Sequence, residues 1–472
     1  MSTSQNLKAN SMNVDSSQQK GESGQSVSQI LSDYYRVPED GLGRICAARS
    51  SGDMGFFRWG AAATCYGQCT SGVSAQLENT GLYDALKSTH LKDCEVHLPF
   101  DPAQIVENLR RERYMNHLGA DGGGITSHRL VRKTYYAVRE LLPVAVRKHF
   151  QKVYLGGWRK LQFPNWPVDF TVDTLHEQVL RLAMEAGGVR RIPFIWFWPQ
   201  GAAGCLIMTH DVETTAGRDF TSDLMDLDHS YGIRSSFQVI PERRYDVPDE
   251  YVRQLKSRGF EFNIHDLNHD GQLYQTYELF LQRAAKINDY AKKFGAKGFR
   301  AGVMYRNLDW YKAYEFSYDM SMPNVAHLDP QRGGCCTAFP FFVGKILEIP
   351  LTTSQDYSLF QILNDYSIEL WKKQLDLIRN RHGLMSFNAH PDYLIRPQPR
   401  KVYESLLSYL QQMVEREKLW MALPGEVDQW WRARNEMKLV QSAGQWRIEG
   451  PESDRARIAY ATLDGDRIVY TV

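Results

Sequence analysis

The sequence predicts an α/β fold built on parallel strands, preceded by an α+β region and closed by a small β appendage. Three observations carry this. Between residues 196 and 425, apolar runs of strand length (CLIMT, SSFQVI, FEFNI, GFRAG, ILEIPLT, LMSFNA) recur with helical stretches between them, the alternation that a parallel sheet or barrel produces. Most of these runs lead into polar residues that a core strand would not choose. After an amphipathic stretch, EVDQWWRARNEMKLV, the last residues read as strands around Asp464-Gly465, a good hairpin turn.

The length of 472 residues suits two or three structural units. Residues 1–38 are rich in Ser, Gln, Asn and Gly and predict a disordered tail. Residues 39–195 form the α+β region, whose DPAQIVENLRRERYMNHL segment predicts a helix with Asp101 as N-cap before Pro102. A second helix is expected over Leu175 to Glu185. Residues 196–425 carry the chemistry, and 426–472 the C-terminal helix and β appendage.

Hydrophobic residues at 43% and aromatics at 12% place most of the chain among folded globular proteins. The 56 Lys and Arg nearly balance the 55 Asp and Glu, so the whole molecule has no field that would call for nucleic acid. The sequence shows neither a signal-like apolar stretch at its start nor a run of membrane-spanning length, which predicts a cytoplasmic protein. One local exception is basic: between His128 and Lys160, nine Lys and Arg face only Glu140. These are either solvated helix faces or a docking surface for a phosphorylated or lipid-linked sugar or for the inner face of a membrane. The seven cysteines have no regular spacing and read as reduced, buried thiols. Cys65 and Cys69, a single CxxxC, are a weak metal signal.

The polar strand ends define a constellation. CLIMT runs into His210-Asp211-Val212-Glu213, FEFNI into His265-Asp266-Leu267-Asn268-His269, GF into Arg300, and LMSFNA into His390-Pro391-Asp392. Strand ends gather in one pocket in α/β barrels, so four distant segments converge. Two histidines four residues apart can face one ion, and a carboxylate completes a His-His-acid set with positions left open for water, which suits zinc or another divalent metal. Asp211 and Glu213, two apart, point to one side of an extended strand and divide the roles of metal ligand and proton acceptor. His390, expected on the opposite wall, would protonate a departing amine, and Arg300 would orient Asp211.

These residues resemble the ordered motifs of the polysaccharide deacetylase (NodB-homology) family over roughly residues 199 to 422. The first motif, DVETTAG, is similar to that family's D-x-D/E variant, and HDLNH, Arg300 and the late His390 follow in order. The resemblance implies a distorted (β/α) barrel of fewer than eight strands, with Asp211 as base and Glu213, His265 and His269 as metal ligands. The second motif has Asp266 where the family has Ser or Thr, and the third has Ala301-Gly302 where the family has a proline. Asp319, in FSYDMSM, resembles the family's YDSS aspartate and is favoured over Asp356 as the group that orients His390.

The function expected is removal of an acetyl group, N-acetyl before O-acetyl, from a sugar of a surface glycan or its cytoplasmic precursor. Opening of a cyclic amide or imide would use the same groups. A catalytically silent carbohydrate binder, holding a glycan on Trp430, Trp431, Trp446 and the N-terminal aromatics, is the reading from another class.

Overall fold

The computed structural model describes residues 27–38, 41–48, 52–77, 81–118 and 155–472. All six apolar runs become strands of one sheet, ordered Phe341–Val343, Ile346–Glu348, Tyr318–Asp319, Gly298–Arg300, Glu261–His265, Ser235–Val239, Cys205–Val212 and Leu384–Ala389. Each neighbouring pair is parallel except the first, which is a hairpin. Parallel neighbours require crossovers, and the helices Thr221–Ser230, Asp249–Ser257 and Tyr277–Phe294 supply three of them. A short strand, Trp420–Met421, pairs with Cys205 and Leu206, just before the point where Met208 meets Ser235.

The sheet curls towards closure. Thr353 N donates to Ser386 O (3.2 Å), Thr352 Oγ1 donates to Leu384 O (2.7 Å) and accepts from Ser386 N (2.9 Å). These bonds tie the segment after Ile346–Glu348 to the last strand without a regular ladder. The result is a distorted (β/α) barrel whose wall has seven consecutive parallel strands, as expected.

Side-chain parity decides what faces where, because successive strand residues point to opposite faces. Leu206, Met208, Val212, Phe237, Val239, Phe262, Ile264, Phe299, Met385 and Phe387 lie in a core under the surrounding helices, together with Leu224, Leu255, Phe280 and Leu406. The opposite parity, Cys205, Ile207, Tyr318, Met320, Leu347, Ile349 and Leu384, joins a second core with Phe197, Trp198, Phe339 and Trp430. The barrel interior is therefore filled with apolar groups at its base. Further along the same inward parity come Thr209, Asp211, Asn263, His265, Arg300, Ser386 and Asn388, all buried. A polar layer thus caps an apolar one at the strand ends.

The N-terminal region follows its predicted local signals. Asp101 caps the helix Pro102–Arg110 by accepting from Ala103 N (2.9 Å), and the second helix runs over Thr171–Ala186. Other expectations need correction. The expected tail contains a helix, Val27–Tyr35, because Ile30, Leu31, Tyr34 and Tyr35 give it an apolar face that is buried; residues 1–26 lie outside the described residues. The C-terminal β appendage consists of the hairpin Lys438–Ser442 with Gln445–Glu449 and of Ile458–Asp464, which pairs with Arg467–Thr471 and also with Arg191–Ile195 of the N-terminal region. Trp430 and Trp431 are core residues, with Trp430 Nε1 donating to Phe197 O (2.8 Å), so they offer no stacking platform. Cys65, Cys69, Cys205, Cys335 and Cys336 are buried as expected, whereas Cys46 is half-buried and Cys94 exposed. Most of the basic segment, residues 128–154, lies outside the described residues. Among the described residues no helix is long and apolar enough to cross a membrane.

Candidate active site

The polar layer at the strand ends holds the four converging segments. Asp211, on the first strand of the barrel, accepts from Arg300 Nη1 at Oδ1 (2.9 Å) and from Asn388 Nδ2 at Oδ2 (2.8 Å). Arg300 is itself fixed by donating to Met320 O (3.0 Å) and Thr209 Oγ1 (2.8 Å). Burial pushes the Asp211 carboxyl up, but Arg300 and, beyond it, His265 and His390 outweigh this and hold it at about 2. The group is an anion at any working pH.

Glu213 lies just beyond the strand, and three imidazoles surround its Oε1: His269 Nε2 at 2.9 Å, His390 Nε2 at 3.6 Å and His265 Nε2 at 3.7 Å. His265 Nδ1 is bonded to Arg300 O (3.1 Å). A carbonyl can only accept, so Nδ1 carries a proton and Nε2 is the nitrogen that faces the cluster; burial opposes the charged ring, but Asp211 and Glu213 favour a proton on Nε2 as well, which a bound cation would displace. Nε2 of His265 is buried without a hydrogen-bond partner, a state that costs free energy unless something else engages it, and Nε2 of His269 faces Glu213 Oε1 at 2.9 Å. The ligand atoms of Glu213, His265 and His269 all lie within 4.8 Å of one another. Bonds of about 2.0–2.1 Å to a tetrahedral ion put ligands roughly 3.3 Å apart, so the three residues fit a divalent cation by donor type and by spacing.

His269 reaches this position through a loop rather than a helical turn. Asp266 and His269 both have left-handed φ, 55° and 54°, and the loop is held from behind. Arg244 donates to His269 O (2.7 Å), and Arg283 grips Asp270 with two bonds of 2.7 Å each. The glycine of Arg300-Ala301-Gly302 is the space-maker: a Cβ there would stand 2.5 Å from Asp266 Oδ2 and 2.9 Å from His269 Cδ2. Gly302→Ala is therefore expected to displace the His269 ring and weaken metal binding by about 10–100-fold, measured by competition with a chromophoric chelator.

His390 departs from expectation in two ways. It is not on the opposite wall: the last strand pairs with the first, Ala389 lying against His210, so His390 is a neighbour of Asp211. Its orienting group is Asp356 and not Asp319. Asp356 Oδ1 meets His390 Nδ1 at 2.6 Å, and Oδ2 accepts from His390 N (2.8 Å). Asp319 has the outward parity, since Tyr318 and Met320 point inward; it accepts from Tyr311 (2.9 Å) and Ser321 and lies in an outer network with Glu348. Burial disfavours the imidazolium of His390, but Asp356 and Glu213 overcome it and raise its pKa well above the ordinary value. This favours the protonated ring, whose Nε2–H is directed towards Glu213 Oε1 at 3.6 Å.

The Asp356 contact gives a pH prediction with a definite sign. A raised pKa keeps the acid form present as pH climbs, so loss of the raising group brings the alkaline limb down. Asp356→Asn is expected to shift the alkaline limb of the kcat profile to lower pH and to reduce kcat by about 10–100-fold at mildly alkaline pH. An unshifted limb would remove Asp356 from this role.

Four contributors were not anticipated: Asn388, Thr209, Gln355 and Arg244. Asn388 Nδ2 bridges Asp211 and Gln355 Oε1 (3.1 Å), and Gln355 Nε2 continues to Asp329 (3.0 Å). The signal was present in LMSFNAH, where Ser386, Asn388 and His390 alternate. His210, adjacent to the site in sequence, faces outward and is bonded to Asp228 (2.9 Å) and Ala389 O (3.0 Å).

Comparison with known proteins adds fold-level likenesses only. No protein-family model and no curated protein matches the chain. Among solved structures, a Mycobacterium smegmatis protein described as a polysaccharide deacetylase is similar at 17% identity, covering 53% of this chain and 98% of its own, with a TM-score of 0.42. PuuE allantoinase is similar at 12% identity, covering 50% and 92%, with a TM-score of 0.39. A Pseudomonas aeruginosa PAO1 protein described as a polysaccharide deacetylase is similar at 15%, covering 50% and 93%, with a TM-score of 0.40. None of these likenesses assigns the chain to a family.

Proposed function

We propose that this chain is a metal-dependent hydrolase that removes an acetyl group, N-acetyl in preference to O-acetyl, from a sugar. The observation that carries the reading is the clustering of the Glu213, His265 and His269 ligand atoms, with Asp211 Oδ2 3.8 Å from His265 Nε2 and His390 Nε2 3.6 Å from Glu213 Oε1. A divalent cation, zinc by donor chemistry, would supply Lewis acidity there, polarising an amide carbonyl and making water acidic.

The chain's own groups divide the remaining work. Asp211, ionised and held by Arg300 and Asn388, accepts the proton of the attacking water; its low proton affinity is why that water must be made acidic first. Arg300 and Asn388 fix both carboxylate oxygens, so no rotation is needed to reach the water. His390 donates Nε2–H to the leaving nitrogen, and Asp356 stabilises the imidazolium before the transfer and orients it throughout. An amine leaving group needs that proton, whereas an alkoxide leaving group needs it less, which is the chemical ground for preferring the amide.

The reading is tested by acetate release from acetylated nucleotide-sugars, lipid-linked sugars and oligosaccharides, with a cyclic ureide as a further arm. Metal-stripped protein should be inactive and regain activity with zinc. Acetate release from no arm, with ring opening in the last, would replace deacetylation by cyclic-amide hydrolysis. For the basic residues 128–160, the proposal is contact with anionic sugar-phosphate or lipid at the inner face of a membrane.

A further inference from the structure

A second group of ligand-type side chains lies in the N-terminal region, on the three-stranded sheet formed by Arg44–Ala47, Glu95–Leu98 and His90–Lys92. The register pairs Cys46 with His97 and His97 with His90, so these three side chains stand in one row across the sheet. Val96 and Leu98, of the other parity, are buried against the core. Glu95 precedes His97 by two residues and shares its face. The arrangement brings a thiol, a carboxylate and two imidazoles from three strands onto one partly open surface.

Their spacing is that of ligands and not merely of neighbours. Ligand atoms of Cys46, Glu95 and His97 all lie within 4.8 Å of one another. Glu95 Oε2 is 3.4 Å from His97 Nε2, close to the roughly 3.3 Å edge of a tetrahedron with bonds of about 2.0–2.1 Å. The other carboxylate oxygen, Oε1, turns away to Arg44 at 3.3 Å, and that arginine is 82% exposed, so the ion pair is solvent-screened and leaves Oε2 available. Lys92, opposite Glu95, is directed to Asp93 (4.0 Å). His90 stacks on His97, with centroids 5.3 Å apart and planes 11° apart. Its Nδ1 is bonded to Ser88 O (3.2 Å), which puts the proton on Nδ1 and leaves the Nε2 lone pair free.

We propose that Cys46, Glu95 and His97 bind a borderline-soft divalent cation of the zinc class, with His90 turning about its side-chain bonds to become the fourth ligand. The donor set of one thiolate, two imidazoles and one carboxylate selects zinc or cobalt(II) over magnesium or calcium. Binding releases the Cys46 thiol proton and takes up no electron. Four protein ligands describe a closed, structural site. It ties the Arg44–Ala47 strand to the Glu95–Leu98 strand, some fifty residues further along the chain, and so clamps the sheet whose edge meets the Thr171–Ala186 helix through Gly43 N and Ala183 O (2.8 Å).

The test uses metal-stripped full-length protein titrated with cobalt(II), followed by its absorption spectrum and by thermal unfolding with zinc. The expected result is a thiolate-to-cobalt charge-transfer band, together with a zinc-dependent rise in Tm. Cys46→Ser and His97→Ala should each lose the band and one zinc per chain, whereas His265→Ala, which alters the barrel mouth where no thiol lies near, should keep the band. A wild-type protein without the band, or a band that survives Cys46→Ser, would overturn the site. Glu95→Gln, which preserves shape, distinguishes lost coordination from lost folding: it should weaken cobalt binding while its far-ultraviolet circular dichroism matches wild type.

Discussion

Asp211→Asn is expected to lower kcat by about 10²–10⁴-fold while the protein keeps its metal at the barrel mouth. The magnitude is that of removing a positioned proton acceptor. The direction on metal follows from the geometry: the three residues whose ligand atoms cluster are Glu213, His265 and His269, and Asp211 Oδ2 is engaged with Asn388. Asparagine occupies nearly the same volume and its carbonyl oxygen can still accept from Arg300, while the Asn388 Nδ2 contact is lost and Asn388 keeps Gln355 as a partner. Steady-state kinetics together with metal analysis check both halves. A variant as active as wild type would show that another group takes the proton; a variant without metal would move Asp211 into the ligand set.

His265→Ala and His269→Ala are expected to abolish activity through loss of the metal itself. Each removes an imidazole whose Nε2 faces the Glu213 carboxylate, and two remaining ligands hold a divalent ion far more weakly than three. The two variants should purify without the barrel-mouth metal and remain inactive at stoichiometric zinc. His390→Ala provides the contrast. Its Nδ1 is committed to Asp356, so the variant should keep the metal and lose only turnover, the more so the poorer the leaving group.

The sequence carried the barrel and most of the site because two physical signals reinforced one another. Apolar runs bounded by polar residues mark buried parallel strands, and charged groups at their ends have no structural reason to be there unless they meet across the barrel mouth. Asp211, Glu213, His265, His269, Arg300 and His390 were legible for that reason. Asp319 was favoured through the resemblance of FSYDMSM to the family's YDSS segment; with apolar Tyr318 and Met320 on either side, as is usual in a strand covered on both faces, nothing in YDM itself distinguishes the residue that points out from those that point in. Asp356 lies beyond its strand, and only the bonds that Thr352 and Thr353 make to the last strand bring it to His390. The position of His390 beside Asp211 depends on strand order, which periodicity does not encode. The helix Val27–Tyr35 was hidden for a different reason: its four buried apolar residues follow a long polar stretch, and their pattern is short enough to be outweighed by composition.

The most direct test of the central claim is an anomalous difference map from a crystal soaked in zinc and collected at the zinc edge. A peak is expected within about 2.0–2.2 Å of a Glu213 carboxylate oxygen and of Nε2 of both His265 and His269, with Asp211 and His390 near it but unbonded. A fully loaded protein whose barrel mouth shows no such peak, or a peak bonded to Asp211 and not to Glu213, would contradict it.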